Sequence, residues 1–144
     1  MTVAAILKHK GYQVTTVPPT APISEVTEVL AMHRIGAALV MDSAEQLLGI
    51  VSERDIVRSL AANGARTLEM TAGQLMTRAL QIATPDTTVG EAMRMMTEGR
   101  FRHLPVVDHD RGGGLISIGD VVKARIMQQE TEVDSLKAYV AGAA

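Results

Sequence analysis

Two short strings in this 144-residue chain place a carboxylate three positions after a hydroxyl: Ser52-Glu53-Arg54-Asp55 and Ser117-Ile118-Gly119-Asp120. Each follows an apolar run opened by glycine, Gly49-Ile50-Val51 in one and Gly114-Leu115-Ile116 in the other. A strand that ends in a hydroxyl residue and turns directly into a helix sets the acid beside the free N–H groups of the first helical turn. Such a corner accepts hydrogen bonds through the carboxylate and offers donors to an anion, which suits a ribose and a phosphate. The same spacing also closes an ordinary capping box, in which hydroxyl and acid serve only the helix end. One copy would favour the cap. Two copies in one repeat frame ask for a further role.

Matching elements surround both strings. Val3, Ile6 and Leu7 predict a short lead-in helix over Thr2 to Lys10. Gln13 to Val17 is a β-branched strand that Pro18-Pro19 stops. Ile23, Val26 and Leu30 mark one face of a helix from Pro22 to His33. Ala37 to Met41 and Leu47 to Val51 read as two strands around a turn, and Ser52 opens a helix through Leu60 that Asn63-Gly64 closes. The order then recurs. Thr71 to Met76 is a second lead-in helix and Leu80 to Ala83 a strand. Thr88 and Glu91 form a capping box ahead of Val89, Ala92 and Met96. Strands follow at Leu104 to Val107 and Leu115 to Ser117, separated by a turn over Asp108 to Gly113. Asp120 opens a closing helix through Ile126, and a helical, amphipathic tail carries Val133, Leu136, Lys137 and Val140. That tail is expected to cap the core or pack across a dimer. A period of about 65 residues in only two copies reads as a pseudo-two-fold pair rather than an array. Neither half is large enough to bury a good core alone.

Apolar residues make up 47% of the chain, yet only Tyr12, Phe101 and Tyr139 are aromatic. Aliphatic residues, methionine and alanine must fill the interior, as in layered α/β packing. No run approaches the roughly 18 apolar residues that span a bilayer, and Met1 to Gly11 lacks the order of a signal peptide, so a cytoplasmic protein is expected. The chain has no cysteine, which suits a reducing compartment and excludes disulfides, thiolate catalysis and cysteine-based zinc sites. A formal net charge of -2 provides no general attraction to nucleic acid or to a membrane surface. His9, His33, His103 and His109 show no paired ligand spacing, and no metal is expected. Met93, Met95 and Met96 read as core filler. Gly112 to Gly114 lacks the Gly-Lys-Ser/Thr of a phosphate loop. Arg100, Arg102 and His103 could contact phosphate or form a solvated basic edge. Arg54 and Arg58, one helical turn apart, could pair with Glu53 or Asp55.

The two copies resemble a tandem pair of cystathionine-β-synthase-type (CBS) domains. The resemblance rests on Gly49 to Asp55, on Gly114 to Asp120, and on Arg102-His103-Leu104-Pro105-Val106-Val107-Asp108; it covers Thr2 to about Gln129. It implies an α/β fold of two pseudo-two-fold-related β-α-β-β-α CBS repeats packed into one module, with domains at 2–66 and 71–129 and a tail at 130–144. It also implies clefts for adenosine compounds: AMP, ADP, ATP, NAD or S-adenosylmethionine. In binding members the aspartate accepts the ribose hydroxyls, matched here by Asp55 and Asp120, and the hydroxyl residue contacts the sugar-phosphate region, matched by Ser52 and Ser117. By the family's cross-repeat logic, Thr2, Leu7, Ile35, Gly36 and Ala37 complete the Asp120 cleft, with Arg102 and His103 at its phosphates. Thr71, Met76 and Phe101 complete the Asp55 cleft, with Arg54 as the nearby cation. The Asp120 cleft is therefore expected to bind the phosphorylated ligand more tightly. Ala38-Leu39, where the family usually has Leu-Pro, and Gly112-Gly113 depart from the pattern and bear on local strand geometry.

The expected protein is a stand-alone, non-catalytic regulatory module that homodimerises and signals to an unidentified protein partner, with neither nucleic acid nor membrane as a partner. Two alternatives belong to other classes. A nucleotide-acting enzyme would require a nucleophile-base pair or a metal cluster, and a structural or nucleic-acid-binding dimer would require a basic stripe or aromatic platforms.

Overall fold

The computed structural model describes residues 1–78, 81–109 and 111–143. Its elements follow from the apolar spacing and from hydroxyl caps. Helix α1 (Val3–Lys10) buries Val3, Ile6 and Leu7 and ends at Gly11, whose φ of 107° is one that a side chain would resist. The first repeat then runs β1 (Thr16–Val17), α2 (Ile23–His33), β2 (Ala37–Met41), β3 (Leu47–Ser52) and α3 (Glu53–Asn63). Helix α2 buries Ile23, Val26 and Leu30, the face marked by their spacing. Strand β1 lies parallel to β2, and β2 runs antiparallel to β3.

After a 3-10 turn over Gly64–Glu69 come α4 (Ala72–Leu75) and β4 (Thr77–Arg78). Strand β4 was not apparent in the sequence. It pairs antiparallel with β3, through Gly49 with Arg78 and Ile50 with Thr77, and becomes the fourth strand of the first sheet. The second repeat continues with α5 (Val89–Gly99), β5 (His103–Asp108), β6 (Arg111–Ser117) and α6 (Ile118–Ala143). Thr88 and Glu91 cap α5 reciprocally, as their spacing predicts.

Two local expectations change. Strand β6 begins at Arg111 rather than Leu115, because Gly112 and Gly114 pair with Val107 and Val106 across a register shift. The triple glycine is therefore strand rather than turn; the expected turn also includes Asp110, outside the described residues. The strand expected from Leu80 begins outside them too, and at its other end Ala83 makes a single parallel bridge to Val106.

The two repeats exchange their lead-in segments. Val3, Ile6 and Leu7 of α1 are buried in the second repeat's core with Val89, Met96, Leu104 and Ile116. Ala72 of α4 is buried in the first repeat's core with Ile23, Val26 and Val51, and Leu75 and Met76 pack against it. Met96 is fully buried in the second core while Met93 and Met95 pack at its margin. This exchange accounts for the motif glycines. A β-carbon on Gly49 would lie 2.5 Å from the Thr77 carbonyl oxygen, and one on Gly114 would lie 2.8 Å from Leu7 Cδ2. Each glycine admits the segment that crosses from the other half. No described helix is long and apolar enough to cross a membrane.

Candidate functional site

At the first corner, Ser52 is the N-cap of α3 and closes a complete capping box with Asp55. The Ser52 amide and hydroxyl both donate to Asp55 Oδ2 at 2.9 Å, and the Asp55 amide donates back to Ser52 Oγ at 3.2 Å. The cap therefore holds one carboxylate oxygen. The other, Oδ1, receives the Thr77 hydroxyl at 3.2 Å, from β4 in the crossing segment. A carboxylate offers acceptors only, so its remaining lone pairs are open to the hydroxyl donors of a diol.

Asp55 lies in the wall of a cavity of about 420 Å³ between the repeats. Ile50, Ser52, Glu53, Arg54 and Arg58 line it from the first repeat. Thr77, Arg78 and Gln81 line it from the crossing segment, and Gly99, Arg100, Phe101, Arg102, His103 and Pro105 from the second repeat. Five arginines thus stand around one cavity with two carboxylates, Glu53 and Asp55. Guanidinium groups stay charged and match phosphate oxygens with paired donors. Phe101, Ile50 and Pro105 add apolar surface on which a flat ring can lie.

At the second corner the motif geometry recurs. The Ser117 amide donates to Asp120 Oδ2 at 2.8 Å and the Asp120 amide to Ser117 Oγ at 3.1 Å. Here, however, the crossing segment delivers a cation. Lys10, the last residue of α1, places Nζ 2.7 Å from Asp120 Oδ2 and donates to the Leu115 carbonyl at 3.0 Å. Partial burial acts to raise the Asp120 carboxyl, but hydrogen bonds from Lys10 and Ser117 and the lysine charge outweigh it, holding the group below its ordinary value.

His103 stands on the partition between the corners. Burial, then the Lys10 charge, push its imidazole below the ordinary histidine value of 6.5, against the opposing pull of Glu53 and Asp120. It is therefore neutral at pH 7. A β-carbon added to Gly36 would fall 3.4 Å from Glu53 Oε1 and 3.7 Å from His103 Nε2, so Gly36 leaves room where the two halves meet.

The structure brings Gly36, Ser52, Arg54, Asp55, Phe101, Arg102 and His103 together around one cavity. This regroups the expectation, in which Arg102 and His103 served Asp120: both line the cavity that Asp55 lines, although His103 also pairs with Ser117 of the other corner. The remaining candidates stand outside that wall. Thr2 precedes α1 and bridges Thr88, and Leu7 is buried against Gly114. Ile35 packs on the first core, and Ala37 is buried and pairs with Ser52. Thr71 caps α4, and Met76 lies against Gly49. Sequence reasoning missed Lys10, Thr77, Arg78 and Gln81. Thr77 and Arg78 could have been sought through their closeness to the second lead-in helix; nothing local marks Lys10.

Duplicated units with exchanged lead-ins, a capped acid at each corner and a cavity between the halves define a tandem repeat module. The family model for the CBS domain matches residues 4–62 and 72–126, and this chain belongs to that family. It is 35% identical over 124 residues to the mitochondrial CBS domain-containing protein CBSX3 of Arabidopsis thaliana, a match covering 83% of this chain and 60% of that protein. The chain thus spans less than two thirds of that relative, and only 23% of the Arabidopsis protein CBSCBSPB1, at 32% identity. Among solved structures, a CBS-domain-containing protein of Agrobacterium tumefaciens superimposes with a TM-score of 0.84 at 42% identity, covering 87% of this chain and 99% of that one. A Pyrobaculum aerophilum CBS domain protein complexed with AMP superimposes with a TM-score of 0.75 at 27% identity, covering 83% and 89%.

Proposed function

We propose that this chain is a non-catalytic regulatory module that binds a phosphorylated adenosine ligand in the Asp55 cleft. The observation that carries the reading is the Asp55 carboxylate, held by its cap and by Thr77, in a cavity ringed by Arg54, Arg58, Arg78, Arg100 and Arg102. Asp55 accepts the ribose hydroxyls, Ser52 stands beside the sugar, and the arginines hold the phosphates. The AMP complex of the Pyrobaculum relative supports an adenine nucleotide as the ligand class. Five guanidinium groups favour two or three phosphates over one, so ADP and ATP rank above AMP, and NAD fits through its diphosphate. A ligand of this kind acts by its difference in affinity for two states of the module or of its partner. On the absence of cysteine we place the module in a reducing compartment, the cytoplasm.

Calorimetric titration of AMP, ADP, ATP and NAD, with recovery of the ligand afterwards, tests the reading. Asp55→Asn keeps an acceptor for the cap but removes the charge, and is expected to weaken binding about 100-fold, since hydrogen bonds to charged groups contribute about 1.5–3 kcal/mol each. Asp120→Asn is expected to leave that affinity unchanged. Binding that survives Asp55→Asn but not Asp120→Asn would move the site to the other cleft, and a chemically altered ligand would make the protein an enzyme.

A further inference from the structure

Helix α6 continues past the last residue that packs on its own repeat. Val121 and Ala124 are buried in the second core and Gln128 is half-buried, but every residue from Gln129 through Gly142 is exposed. A helical segment of roughly four turns is marginal in water without tertiary support. Its apolar residues also do not face the body. Ile126, Val133 and Val140 recur every seventh residue with Leu136 between the last two, and they are 50%, 49%, 60% and 62% exposed. In heptad terms Ile126, Val133 and Val140 occupy a positions, and Val122, Gln129 and Leu136 occupy d positions. Val121 and Ala124, which anchor the helix to its own core, lie on the opposite c and f face. The seam thus points away from the protomer.

We propose that α6 pairs from Val122 to Val140 with α6 of a second copy of this chain, as a parallel, in-register two-stranded coiled coil. Three features select this occupant. Branched residues fill the a positions Ile126, Val133 and Val140, and with Leu136 at one d position they suit two strands. In parallel register the flanking charges are complementary: Arg125 at g of one copy faces Glu130 at e of the other, and Glu132 faces Lys137, each pair occurring twice by symmetry. Antiparallel pairing would retain only the Glu130–Lys137 match and set Glu132 against Tyr139. Finally, Gln129 meets its own copy in parallel register and can hydrogen-bond to it, whereas antiparallel packing buries it against Val140. This inference is independent of the nucleotide reading.

The absence of cysteine permits a clean test. The native chain at micromolar concentration is expected to sediment as a dimer. Leu136→Cys, at the seam, should form an interchain disulfide under mild oxidation, whereas Thr131→Cys, on the outer f face, should not. Val133→Asp, at an exposed position that leaves the core intact, should lower the Leu136→Cys cross-link at least tenfold. A monomeric native chain, equal cross-linking at Thr131 and Leu136, or a dimer that survives Val133→Asp together with Leu136→Asp would overturn the proposal.

Discussion

The Asp55 and Asp120 corners share a motif and a cap, yet the segment that crosses from the other repeat makes them different sites. At Asp55 the crossing segment brings a neutral hydroxyl, and the carboxylate looks into an open cavity lined by five arginines. At Asp120 it brings Lys10, whose ammonium meets the carboxylate at 2.7 Å and supplies from within the charge that a ligand's donors would otherwise supply. A motif therefore specifies where an acid stands, while its partner across the repeat boundary decides the charge beside it. The duplication preserved the frame of the two corners without preserving the partners of their acids.

The largest contrast is expected between the two motif glycines. Gly49→Ala sets a β-carbon against the Thr77 backbone, which cannot turn aside, whereas Gly114→Ala meets the end of the Leu7 side chain. Gly49→Ala should therefore cost about 2–3 kcal/mol, and Gly114→Ala about 1 kcal/mol, as over-packing does in other cores. Denaturant unfolding measures both, and equal losses would erase the distinction between a backbone and a side-chain neighbour. Gly49→Ala should also weaken nucleotide binding, because Thr77 moves with β4.

Lys10→Met should open the second corner. The lysine is substantially exposed, so its loss costs about 0–1 kcal/mol of stability, but the stoichiometry of nucleotide binding is expected to rise from one to two. A value still at one would show that something other than Lys10 separates the clefts. The same variant tests the acid limb of stability. Because the folded Asp120 carboxyl lies below its ordinary value, its contribution is present above the unfolded pKa and is lost as pH falls through the folded one. Lys10→Met should flatten that loss.

The smallest effect belongs to the partition. The folded state disfavours protonated His103, so its contribution is full above about 6.5 and declines as pH falls below that value toward the lowered folded pKa. His103→Gln should lower the difference in Tm between pH 7.5 and 5.5. An unchanged difference would show that His103 does not carry the acid sensitivity over that range.

Much of this molecule was readable along the chain. Capping spacing located α3, α5 and α6; apolar periodicity located α2; the recurrence of order revealed the paired repeats and, with the motifs, the family. These signals are local because each helix end and each buried face is set by residues within a few positions of one another. Strand β4 escaped notice because two residues are too few to show an alternation. The long reach of β6 escaped because three glycines read as a turn until Val106 and Val107 provided ladder partners. The charge around each acid was legible least of all. Lys10 and Asp120 are 110 positions apart, as Thr77 and Asp55 are 22 apart. No period or motif links such pairs; only the exchange of lead-in segments, driven by burial of Val3, Ile6 and Leu7 in one core and Ala72 in the other, brings them into contact. The sequence by itself determined two capped acids in a repeated frame. Tertiary packing alone decided that one acid faces arginines across an open cleft while the other is held by a lysine.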